Sequence, residues 1–171
     1  STWSTDLYSY ESLQNLTLDL QPLRDPRRGG VVLRGTASDI NFASYALEYA
    51  DVRTHTAWHP VAAPSGETKL SEELALWVPP NFGSFLVRMT GTDRAGNTAA
   101  AIRRVTWNDQ SPLTNLRKDF DYISPNGDGV QDRLTLRYQV VEPVHLAFEI
   151  RHEDGSPLRR VERDHASTGS D

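Results

Sequence analysis

Five residues within 124–132 have the oxygen atoms and the spacing to hold a hard cation. Ser124, Asn126, Asp128 and Asp132 stand at intervals of two, two and four, Gly129 occupies the point where the backbone must turn sharply, and Val130 offers its carbonyl. That order matches a calcium loop, with ligands at positions one, three and five, glycine at six, a backbone carbonyl at seven and a ligand at nine. Position one is Ser124 where Asp is preferred, and position twelve is Thr135 where a bidentate Glu would sit, so the charge is low and the affinity weak. Asp119 or Asp121 could supply missing ligands from upstream. The same composition also suits a metal-free turn in which Asn126 and Asp128 cap backbone amides.

Other chemical groupings point to structure. His55 and His59 lie about 13 Å apart on a strand, too far for one ion, and Pro60 opposes a helical turn that would bring them together, so both read as loop residues. Asp39 and Asp93 sit in turn signatures where Asp caps its own backbone, which outweighs a paired-carboxylate role. Trp3, Trp58, Trp77 and Trp107 could stack sugars on a surface, but core packing is the commoner fate of tryptophan in a sheet protein. Nucleophile elbows, phosphate-cradling glycine loops and His-Glu-x-x-His zinc motifs are all missing, so no active site assembles and a non-enzymatic role is expected.

Composition narrows the classes further. With 37% hydrophobic and 24% charged residues the chain is expected to fold, and no apolar run reaches the ~20 residues of a spanning helix. The net charge of -5 is shared by both halves: residues 1–110 carry 10 basic and 12 acidic side chains, and 111–171 carry 8 and 11. Neither half offers the basic field that nucleic acid requires. The absence of cysteine excludes disulfides and thiolate chemistry. The chain starts at Ser1 and shows no basic segment followed by an apolar leader, so any signal peptide is expected to have been removed already, or the chain is an excised piece.

The elements that would position these residues are strands. Leu16, Leu18 and Leu20 alternate with polar residues, as do Tyr45, Leu47 and Tyr49, and Phe85, Val87 and Met89. Residues 31–36 and 99–107 read as further strands, and Leu74, Leu76 and Val78 as the inward face of another. The turn at 93–97 is tight, with Gly96 and Asn97 both suited to positive φ. A linker is expected over 108–116. After it Leu134, Leu136, Tyr138 and Val140 alternate, then Val144, Leu146, Phe148 and Ile150, and a turn at Asp154-Gly155 leads into 158–161. The chemistry-bearing loop therefore stands at the expected junction, where it would act as a rigid hinge.

Two stretches resemble bacterial surface-protein modules. Gly35-Thr36-Ala37-Ser38-Asp39, Leu47-Glu48-Tyr49 and Thr92-Asp93-Arg94-Ala95-Gly96-Asn97 are similar to motifs in Ig-like or fibronectin-III-like repeats of large exported bacterial proteins. Ser124-Pro125-Asn126-Gly127-Asp128-Gly129-Val130-Gln131-Asp132, followed by Leu134 to Tyr138 and Glu142-Pro143, resembles the opening of FlgD-type Ig-like domains. The Trp-Asp-Gly region and final strand usual in that family are missing before Asp171, which fits a fragment or processed piece.

These readings together give an all-β expectation of two Ig-like β-sandwich units in tandem, the second incomplete: 1–15 as a linker or tail of a preceding domain, 16–110 as the first sandwich, and 111–171 as the N-terminal part of a FlgD-type domain. The resemblance implies an extracytoplasmic structural or spacer module, to which the oxygen spacing at 124–132 adds a calcium-stabilised inter-domain loop. The alternative is an adhesion module that binds a glycan or protein, the open second unit accepting a strand from a partner or second chain. Other domains of the same longer protein are the expected neighbours.

Overall fold

The computed structural model describes residues 16–54, 57–166 and 169–170, and every regular element among them is a strand. The expected segment 1–15 lies outside the described residues. The chain divides into two compact units, one containing 16–23 with Arg28–Asp109, the other Arg24–Arg27 with Gln110 onward.

Seven strands build the first unit: β1 (Thr17–Asp25), β2 (Gly30–Ser38), β3 (Phe42–Asp51), β4 (His59–Pro60), β5 (Lys69–Trp77), β6 (Gly83–Asp93) and β7 (Thr98–Trp107). In one layer β1, β2 and β5 are neighbours in that order, and in the other the order is β4-β3-β6-β7. Both layers feed one core. Leu20, Val31, Leu33 and Trp77 come from the first, and Tyr45, Leu47, Phe85, Val87, Met89 and Val105 from the second. This sandwich-like packing follows from period-two patterning, because alternate side chains of each strand share a face. Trp77 meets Phe85 edge-on at 5.4 Å between ring centroids and Tyr49 at 5.1 Å, adding aromatic contact to the burial.

The layers and strands approach closely at glycines. A Cβ on Gly35 would stand 2.0 Å from the carbonyl oxygen of Asp19 on β1, so no side chain fits there.

β5 departs from the expected facing. Leu76 is 37% and Val78 61% exposed, while Trp77 is buried and Ala75 packs on the core. The reason is a bulge: Leu33 pairs with Ala75 but Arg34 pairs with Glu73, so the register slips at Leu74 and the inward parity changes there. Leu74 still reaches the core from the other side of the slip.

The second unit contains β8 (Leu113–Lys118), β9 (Leu136–Val140), β10 (Val144–Arg151), β11 (Pro157–His165) and β12 (Gly169–Ser170). One sheet runs β12-β9-β8; β10 and β11 form an antiparallel pair, and Arg24 adds a parallel bridge to Val144. Tyr138, Val140, Val144 and Leu146 make the core, with Leu113 and Phe148 packed beside it. That cluster is small, so polar ties carry weight: Arg24 gives its N–H to Pro143 O at 2.9 Å and its guanidinium to Glu142 at 2.6 Å.

β8 corrects the expected linker over 108–116. Its side chains are mostly exposed, so apolar alternation does not reveal it; antiparallel bonds to β9 hold it, around a bulge between Thr114 and Arg117 where Asn115 takes a φ of 52°.

Candidate functional site

The 124–132 loop lies between β8 and β9, which pair with each other, so it is the connection of two neighbouring strands inside the second unit. This corrects its expected place at the junction before the first strand of that unit. Its neck is fastened where Asp119 Oδ1 accepts the Thr135 N–H at 2.9 Å, with the Asp119 N–H returning to Thr135 O at 3.4 Å. Asp121 pairs with Lys118 at 2.5 Å. Both carboxylates considered as extra ligands thus have protein partners, and those partners, Thr135 and Lys118 respectively, hold each carboxyl below its usual pKa.

Inside the neck, three of the five candidates meet in one turn. Asp132 spans it, accepting the Gly127 N–H through Oδ1 at 2.9 Å and the Gly129 N–H through Oδ2 at 2.7 Å. Asp128 Oδ1 accepts the Val130 N–H at 2.7 Å, Asn126 Oδ1 accepts the Asp128 N–H at 3.0 Å, and the Asn126 amide donates to Asp128 Oδ2 at 2.9 Å. Ser124 joins through its backbone, giving its N–H to Gln131 O at 2.9 Å and accepting from Asn126 at 2.7 Å. Val130 contributes its N–H, and its side chain is exposed. Left-handed backbone at Gly127, Gly129 and Gln131 turns the N–H groups inward.

Those N–H dipoles favour the charged carboxylates. Gly127 and Gly129 hold Asp132 below the usual carboxylate range, and Val130 with the Asn126 amide does the same for Asp128. Sequence reading assigns capping to Asn126 and Asp128; the bridging role of Asp132 becomes visible only once its two oxygens are seen to face amides on both sides of Asp128. For a cation the donor set is two carboxylates, one side-chain amide oxygen, one hydroxyl and one carbonyl. Each carboxylate oxygen that accepts one N–H keeps a second lone pair, so the hydrogen bonds within the turn do not exhaust the two carboxylates. Among the described residues no three His, Asp or Glu side chains converge as a metal-holding group.

The other expected positions separate. His55 and Trp3 lie outside the described residues. His59 stands on β4, exposed and 5.3 Å from the Tyr49 ring, and not in a loop. Trp77 is core, Trp107 packs against the core, and the half-buried Trp58 lies 3.9 Å under the Arg88 guanidinium. Asp93 caps its turn as expected, accepting Ala95 N–H, Asn97 N–H and the Asn97 amide. Asn97 does so without a positive φ; only Gly96 in that turn has one. Asp39 does not cap: both carboxylate oxygens are buried without a hydrogen-bond partner, and the turn is closed instead by Phe42 N–H to its backbone carbonyl at 3.4 Å.

No helix among the described residues is long and apolar enough to cross a membrane. Compared with family models, curated proteins and solved structures, the chain gives no match, so its all-β, sandwich-like fold rests on its own strand pattern and packing.

Proposed function

We propose that this chain is a non-catalytic structural module of an exported bacterial surface or periplasmic protein, built from tandem Ig-like sandwiches and stiffened by a weak calcium site at 124–132. The observation that carries this reading is the loop itself: a preformed turn of ionised oxygen donors whose neck is tied to the ends of two paired strands. Calcium would bridge Ser124, Asn126, Asp128, the Val130 carbonyl and Asp132, and so oppose separation of β8 from β9. The role is mechanical, and the resemblance to exported bacterial repeats supplies its setting.

Denaturant unfolding with and without calcium tests it. For a Kd of about 1 mM, about 10 mM calcium should stabilise the second unit by about 1.4 kcal/mol. Asp132→Asn should abolish that gain. An unchanged second transition in millimolar calcium overturns the reading.

Strand acceptance by the second unit is a second reading, and two of its edge strands oppose it. β11 exposes Arg159, Arg160, Glu162, Arg163 and Asp164, and β8 is bulged with Arg117 and Lys118 on it, features that discourage edge pairing.

A further inference from the structure

We propose that the second unit binds a neutral saccharide in a groove lined by the 118–125 segment and by the end of the β10–β11 hairpin. This goes beyond a scaffolding role and does not depend on calcium. The cavity is about 690 Å³, within the range of small-ligand sites, and all of its lining belongs to the second unit.

Two kinds of lining residue give it chemistry. Ile123, Leu134 and Ile150 are half-buried and apolar, whereas Phe120 and Tyr122 are 37% and 76% exposed. Phe82 of the first unit is also exposed, at 64%, but among the lining of this groove Phe120 and Tyr122 place two accessible rings two residues apart on one wall. Such rings can cover the apolar C–H face of a pyranose.

The polar lining selects against charged ligands. Lys118 pairs with Asp121 at 2.5 Å, and the Arg151 guanidinium gives Nε and Nη2 to Glu149 Oε2 at 3.2 and 2.7 Å, while also giving Nη1 to Gly155 O. Each cation is already matched by an anion, and Glu153 adds one more carboxylate. A phosphate or nucleic acid would find no surplus positive charge, whereas vicinal hydroxyls can accept from a guanidinium and donate to the carboxylate beside it.

The test is an amide-shift titration of the full ¹⁵N-labelled chain with chitobiose, cellobiose and lactose, in calcium and again in chelator. At least one sugar should move amides in 118–125 and 149–153 together, with millimolar affinity, in both buffers. Tyr122→Ala should weaken that affinity by about five- to tenfold, and Tyr122→Phe should leave most of it. Tyr122 is exposed, so the Ala variant should keep its spectrum elsewhere, which separates lost stacking from lost fold. No movement of groove amides at tens of millimolar of any of the sugars overturns the proposal. So does equal affinity of Tyr122→Ala, or a groove that answers only to an extended Phe- and Leu-containing peptide.

Discussion

Asp93 offers the sharpest test of how the first unit is closed. Its carboxylate is 2% exposed and takes three donors: Ala95 N–H at 2.8 Å and Asn97 N–H at 2.9 Å on Oδ1, and the Asn97 amide at 2.8 Å on Oδ2. Asp93→Ala removes the acceptor that these three donors share. A stranded donor costs about 1–3 kcal/mol, and since Ala95 and Gly96 are exposed, water can reach the turn and the low end applies. The three together come to about 3 kcal/mol, and relief from burying a charge offsets part of that, leaving about 2–2.5 kcal/mol. Asp93→Asn keeps the Oδ1 contacts but sets one NH₂ group against another at Asn97, for about 1.5–2 kcal/mol. Urea unfolding followed by tryptophan fluorescence reads this, because Trp77 is in the core of the same unit. Losses under about 0.5 kcal/mol for both variants, or a larger loss for Asn than for Ala, would refute the acceptor accounting.

Two further outcomes can be checked with similar means. Gly35→Ala should cost at least about 3 kcal/mol in the first unit's denaturant transition, since its Cβ would meet Asp19 O at 2.0 Å and the β1 backbone would have to retreat by more than about 1 Å; wild-type stability would show that β1 and β2 are not that close. In the second unit the depressed folded pKa values of Asp128 and Asp132 mean that their stabilisation is present above the unfolded carboxylate pKa of about 4 and is lost as pH falls through the lower folded values. The Gly127, Gly129 and Val130 amide shifts should hold steady from about pH 7 to 5 and move only below about pH 4, so a transition near pH 6 contradicts the assignment.

Most strands are legible in the sequence because one face of each must be apolar. Leu18-Leu20, Tyr45-Leu47 and Phe85-Val87-Met89 show the period directly, and their side chains are the core or pack on it. Parity fails at β5, because a bulge is a property of two strands and leaves no mark in the apolar positions of one. β8 escapes notice for a related reason: a strand held by backbone bonds at a sheet edge needs no alternation, and Leu113 alone anchors it to the small core. The site was legible in kind, since Asn, Asp and Gly at those spacings specify a turn of oxygen donors. Its place within a strand pair was not, because that depends on recognising β8.

The same hydrogen bonds that preform the loop bound how tightly it can hold a cation. Each N–H aimed at Asp128 or Asp132 stabilises the carboxylate without metal and draws off part of the charge that a cation would otherwise attract. Both extra carboxylates nearby are occupied at the neck or by Lys118, so the ligand charge stays at two. Sites of such low charge belong at the weak end of calcium affinities, about 10⁻⁴–10⁻³ M, and fill only where calcium is millimolar. Affinity and location are therefore linked in the proposed role. A calorimetric Kd in that range fits an exported module, whereas one below about 10⁻⁶ M would require ligands beyond these five and would detach the loop from the extracytoplasmic reading.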